Sequence, residues 1–169
     1  MLKTFFPDDY MSSTYEIPFK KLYEEGYRGV IFDIDNTLVM HGAPADERAI
    51  KLFTELKQLG FQCCLLSNNK QPRVDMFNRD VEVFAIPDAH KPASTNYLKA
   101  MELMGTDLSN TVFVGDQLFT DVWGAKRTGI RNILVAPINP KEEIQIVLKR
   151  YLEKIVLYFY KRAKKQKGM

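Results

Sequence analysis

The chain has 169 residues, of which 46% are apolar and 27% charged, the profile of one folded domain and not of a disordered or two-domain chain. Its net charge of +3 is unevenly placed: Lys161, Arg162, Lys164, Lys165 and Lys167 put five cations in the last nine residues and leave −2 on everything before them. The two cysteines, Cys63 and Cys64, are adjacent, so no disulfide scaffold forms and a reducing cytoplasm is the expected compartment.

A polar and aromatic lead-in, residues 1–28, contains a short predicted helix from Pro18 to Glu25 and no apolar leader segment. Five apolar runs then read as strands: Gly29 to Phe32, Phe61 to Leu66, Val81 to Ala85, Thr111 to Val114 and Asn132 to Val135. They show no polar alternation, which suits a sheet covered on both faces. Between them lie predicted helices from Asp46 to Leu59, Pro72 to Arg79, Pro92 to Met104 and Thr120 to Thr128. Three of these close on a glycine, and two open on a proline. Strict alternation of strand and helix predicts an α/β fold, a single doubly wound, Rossmann-like domain with a five-stranded, mainly parallel sheet. Met101, Met104 and Trp123 are read as core.

The last predicted helix, 141–164, carries a stripe at Ile144, Val147, Leu148, Tyr151, Leu152, Ile155 and Phe159. That stripe is read as packing on the sheet, which leaves some of Leu157, Tyr158 and Tyr160 for a bilayer or a partner. The longest apolar run, Ile155 to Tyr160, is far short of the roughly 20 residues that a membrane-spanning helix needs. Residues 1–160 therefore form one domain and residues 161–169 a basic, solvated tail, able to make peripheral contact with an anionic membrane. No separate basic face with stacking aromatics points to specific nucleic-acid binding.

Ligands of parallel α/β sheets collect beyond the carboxyl ends of the strands. There the first run ends in Asp33-Ile34-Asp35-Asn36-Thr37, the second in Ser67-Asn68-Asn69 and the fourth in Gly115-Asp116, with Asp121 five residues on; Lys91 follows the third. Asp33 and Asp35 leave one strand together, and Asp116 and Asp121 arrive from a neighbour. So many carboxylates, with no histidine or cysteine cluster beside them, call for a hard cation such as Mg²⁺. Ser67 and Lys91 can hold phosphoryl oxygens. Asp121 also suits the first turn of a helix on dipole grounds alone. His41 and His90 are read as loop residues.

These residues resemble the haloacid-dehalogenase (HAD) phosphohydrolase superfamily: DxDxT at Asp33, Asp35 and Thr37, then Ser67, then Lys91, then GDxxxxD at Asp116 and Asp121, in that order over about residues 28–136. The resemblance implies that Asp33 is the nucleophile that becomes an aspartyl phosphate and Asp35 the general acid. It implies metal contacts from Asp33, Asp35 through its carbonyl and Asp116, with Asp121 supporting the metal directly or from behind these ligands, and phosphate contacts from Thr37, Ser67, Asn68 and Lys91. Only 29 residues separate Thr37 from Ser67 and 23 separate Ser67 from Lys91, so neither gap holds a cap domain. An open site needs a lid from elsewhere or a substrate large enough to cover it: a protein, a nucleic-acid end, a saccharide chain or a lipid headgroup. The arrangement looks like the capless YqeG-type subclass IIIA. That branch is similar to mitochondrial phosphatidylglycerophosphatases, so the substrate expected from the resemblance is a lipid-borne phosphomonoester.

Overall fold

The computed structural model describes residues 1–139 and 144–166. Six parallel strands form the sheet: β1 (Asp9–Met11), β2 (Gly29–Phe32), β3 (Gln62–Leu66), β4 (Phe84–Ile86), β5 (Thr111–Gly115) and β6 (Arg131–Val135), in the order β1-β6-β5-β2-β3-β4. The sixth strand corrects the predicted five. β1 lies in the lead-in, where only three residues pair, Asp9 to Met11 against Ile133 to Val135, too short a stretch to show a periodic signal. β4 also begins later than the predicted run from Val81 to Ala85, because Val81 turns into the core ahead of it and Glu82 takes a left-handed φ of 53°.

Helices α1 (Phe19–Glu24), α2 (Glu47–Leu59), α3 (Gln71–Asn78), α4 (Thr95–Met104), α5 (Trp123–Thr128) and α6 (Ile144–Gln166) connect or flank the strands. Adjacent residues on the central strands go to opposite faces. Val30, Phe32, Val112, Val114, Cys63 and Leu65 join one apolar cluster with α1 and α2, while Ile31, Phe113, Cys64 and Leu66 join a second with α4 and α5. The two cysteines thus face opposite ways and pack as small apolar groups, with burial raising both thiol pKa values to about 12.

Local sequence explains the better-defined elements. Asp46 caps α2 by accepting from the Ala49 N–H at 2.8 Å, and Ala49, Leu52, Phe53 and Leu56 put one apolar face on the sheet. Each large side chain buried there contributes about 1.5–3 kcal/mol. Gly60 ends the helix at φ 105°, a conformation that a side chain would strain. Met101 and Met104 are core, as expected, whereas Trp123 is half-buried, edge-on to Phe5 at 5.5 Å between ring centroids.

The largest correction concerns α6. Its inward side is Val156 and Glu153, with Leu157 and Tyr160 half-buried, and the predicted stripe residues Leu148, Tyr151, Leu152, Ile155 and Phe159 face outward. The helix continues through the first part of the basic end to Gln166. The side chains of Ile144 and Val147, together with residues 141–143 and 167–169, lie outside the described residues. Among the described residues no helix is long and apolar enough to cross a membrane, and no cap domain covers the carboxyl end of the sheet.

Candidate active site

Strand register brings the predicted motifs to one level. Phe32 lies opposite Leu65 of β3 and Val114 of β5, so Asp33, Ser67 and Asp116 leave three adjacent strands at the same edge of the sheet. Asp33 N–H still donates to the Val114 carbonyl at 3.0 Å, and Ser67 N–H to that of Ile86 at 3.1 Å.

Lys91 reaches this edge because its loop is stitched to the one after β3. Asp88 and Ala89 donate backbone N–H bonds to the carbonyls of Asn69 and Ser67 at 2.8 and 2.9 Å. The Asn68 side chain accepts from Lys91 N–H at 2.8 Å and donates to the Lys91 carbonyl at 3.2 Å. Asn68 therefore braces Lys91, and its own amide is spent on that backbone.

The Lys91 ammonium sits between two carboxylates, 2.9 Å from Asp33 Oδ1 and 2.7 Å from Asp121 Oδ1, with only 3% of its side chain exposed. Burial works against the ammonium, yet Asp121 and Asp33 outweigh it and hold its pKa above the ordinary lysine range. Asp121 is thus more than a helix-dipole acid. It lies on a wide π-turn, Leu118–Val122, that precedes α5, and its Oδ2 accepts from Gln117 N–H at 3.1 Å. Gly115 makes room for it: a Cβ there would stand 2.5 Å from Asp121 Oδ2. The buried Tyr97 hydroxyl, 3.1 Å from both the Thr120 and Asp121 carbonyls, fixes the same turn from below.

Asp116 is 2% exposed. The Thr37 hydroxyl lies 3.1 Å from its Oδ1 and 3.3 Å from Asp33 Oδ2, tying the two carboxylates together. Its other oxygen pairs with Arg150 of α6, which also donates to the Asp116 carbonyl at 2.5 Å and to Glu153 Oε2 at 3.0 Å. Glu153 in turn accepts from Leu118 N–H at 3.0 Å. Burial, then Asp33, pushes Asp116 well above the usual carboxylate range, Arg150 opposing; the same two causes raise Asp121 to about 6 against the pull of Lys91.

Oxygen atoms of Asp33, Asp116 and Asp121 lie within 4.8 Å of one another. The donors in this group are all carboxylate oxygens. Such a set fits one hard divalent cation.

Asp35 stands apart. Its carboxylate is turned onto Arg73 (2.9 Å from Nη2, 3.2 Å from Nε), Gly42 N–H (2.8 Å) and the Asn69 amide (2.5 Å). His41 is exposed, with Nδ1 3.7 Å from Asp35 Oδ1, and His90 is an exposed loop residue. Arg73, Arg150 and Glu153 carry no motif signal, since each meets its carboxylate or turn from more than 30 residues away.

Such a cluster at the end of a parallel sheet defines a phosphatase of the HAD type, and the chain belongs to that superfamily. Within it the chain is of the YqeG type: it is 36% identical over 164 residues to the probable phosphatase YqeG of Bacillus subtilis (strain 168), covering 96% of this chain and 95% of that one. The family model described as HAD-hydrolase-like matches residues 89–137. Among solved structures, a protein from Listeria monocytogenes serotype 4b aligns with a TM-score of 0.55 at 19% identity, covering 69% of this chain and 84% of that one. The cobalt-bound deoxy-D-mannose-octulosonate 8-phosphate phosphatase of Haemophilus influenzae aligns with a TM-score of 0.52 at 16% identity, covering 69% and 81%. At these identities the two structures speak for the fold alone.

Proposed function

We propose that the protein is a Mg²⁺-dependent phosphomonoester hydrolase that works through an aspartyl phosphate at Asp33 on a large or lipid-borne substrate, with phosphatidylglycerophosphate the first candidate. The observation that carries this reading is the buried triad of Asp33, Asp116 and Asp121, held by Lys91 and Thr37.

Asp33, Asp116 and Asp121 would hold the cation, with the Asp35 carbonyl as the further contact implied by the family resemblance; when bound, the ion neutralises the charge that repels a phosphate from a carboxylate nucleophile. An Asp33 oxygen attacks phosphorus and the bond from phosphorus to the ester oxygen breaks. Asp35 gives its proton to the departing oxygen, then takes one from the water that attacks the acyl phosphate; inorganic phosphate leaves and Asp33 is restored. Before it can do so, Asp35 must turn from the donors of Arg73 and Asn69 toward the mouth. Lys91 and the hydroxyls of Ser67 and Thr37 stabilise the phosphoryl oxygens as charge spreads over them, and Asn68 contributes by holding Lys91 in place. The cytoplasm, or the inner face of a membrane, is the proposed location.

A substrate panel tests this: an aryl phosphate, phosphatidylglycerophosphate, phosphopeptides, nucleotides and sugar phosphates, each with and without Mg²⁺. Hydrolysis that needs Mg²⁺, is abolished in Asp33→Asn, and prefers the lipid supports the reading. Activity that survives Asp33→Asn refutes the mechanism, and preference for a small phosphate refutes the substrate class.

A further inference from the structure

The last helix exposes the side that its sequence pattern would bury. Leu148, Tyr151, Leu152, Ile155, Tyr158 and Phe159 are between 42% and 64% exposed, while Val156 and Glu153 face the sheet at 3% and 6%. At the α-helical repeat these six fall within an arc of about 120°, a continuous apolar stripe over three turns. Singly exposed apolar residues are ordinary, but a contiguous stripe of six marks a contact surface.

The charges on the same helix say what it meets. Lys149, Lys154, Lys161, Arg162, Lys164 and Lys165 are exposed, and the lone carboxylate of α6, Glu153, is buried on the opposite side against Arg150. By helical position Lys154 and Lys165 run along one flank of the stripe beside Tyr151 and Tyr158, and Arg162 falls within it, while Lys161 lies over the Tyr10 ring. A second copy would bring the same excess of cations to the shared face, which like-charge repulsion opposes. Apolar residues bordered by tyrosines and lysines instead match the interface of an anionic leaflet.

The stripe also connects with the acidic site. Tyr151 walls a cavity of about 310 Å³ between α6 and the sheet, whose lining includes Leu134, Val135 and Leu157 on the apolar side and Asp116 and Arg150 within. We infer that the outward face of α6 is a docking surface for an anionic lipid bilayer. It seats the mouth of the acidic cluster at headgroup level and depends on the helix body more than on the basic end. Its use in catalysis rests on the proposed lipid-borne substrate; the docking itself does not.

Sedimentation of the full-length protein with phosphatidylcholine vesicles, with and without phosphatidylglycerol, tests the surface. Binding is expected only to the anionic vesicles and should weaken with salt. The double variant Ile155→Ser with Phe159→Ser should bind at least about tenfold more weakly, and the triple variant Lys154→Glu, Arg162→Glu and Lys165→Glu should also lose binding. Both should keep the wild-type melting temperature and its Mg²⁺-dependent hydrolysis of a soluble aryl phosphate. Asp33→Asn should bind vesicles as the wild type does, so loss of the phosphatase reading leaves this readout intact. Equal binding by wild type and the double variant, or no binding to anionic vesicles at low salt, overturns the inference. So does a wild-type dimer in sedimentation velocity that the double variant converts to monomer, which would make a second copy the occupant.

Discussion

Lys91→Met removes the cation between Asp33 and Asp121 while keeping the volume of the side chain. At 2.9 and 2.7 Å, each pair is worth about 6 kcal/mol of gross attraction at an effective dielectric near 20, offset by the desolvation of the ammonium. Without it the folded protein escapes part of the loss by protonating a carboxylate. For a group whose unfolded pKa is 3.8, that escape costs about 1.4 kcal/mol per pH unit above it, or about 5 kcal/mol at pH 7.5 and under 2 at pH 5. The variant should therefore be about 3–5 kcal/mol less stable than wild type at about pH 7.5 and only about 1–2 less stable at about pH 5. Urea unfolding in a chelator at the two pH values measures this. A loss below about 1 kcal/mol at the higher pH, or one that does not shrink on acidification, refutes the view of Lys91 as the counter-charge of a buried pair.

Three further outcomes follow from the site. Raised pKa values of Asp116 and Asp121 mean that the metal-free fold keeps protons the unfolded chain has released. Their contribution to stability is then greatest at low pH and is lost as pH rises, for Asp121 through about 6. Mg²⁺ takes the place of those protons, so the melting-temperature gain on adding it should be larger at about pH 7.5 than at about pH 5; an equal gain would place the ion elsewhere. Gly115→Ala puts a methyl 2.5 Å from Asp121 Oδ2 and should cost about 1–3 kcal/mol in thermal or urea melts with at least about a tenfold loss of kcat; wild-type activity would show that Asp121 does not need its position. Arg73→Leu frees Asp35 from the donors at 2.9 and 3.2 Å that hold it off the reacting phosphate and should raise kcat about 2- to 10-fold with little change in KM, a fall in kcat refuting the view that Asp35 must leave Arg73 to act.

What could be read from the chain in advance was local or periodic. Apolar runs without alternation marked β2, β3, β5 and β6 because both faces of those strands are covered. The residue after each run marked the site because a parallel sheet delivers its strand ends to one edge. β1 escaped because three residues paired by backbone bonds to β6 leave no pattern in side-chain chemistry.

Fold class, motif order and the arrival of Asp33, Ser67 and Asp116 at the ends of adjacent strands follow from spacing along the chain and the register of parallel strands. Contacts between residues distant in the chain set the rest. They turned Asp35 onto Arg73, gave Asn68 to the Lys91 backbone, and brought Arg150 and Glu153 of α6 against Asp116 and Leu118. They also decided which face of α6 looks outward. Hydrophobicity favours burying Leu152, Ile155 and Phe159, but the buried bonds of Arg150 and Glu153 fix the opposite side inward, and a helix can present only one face to its sheet.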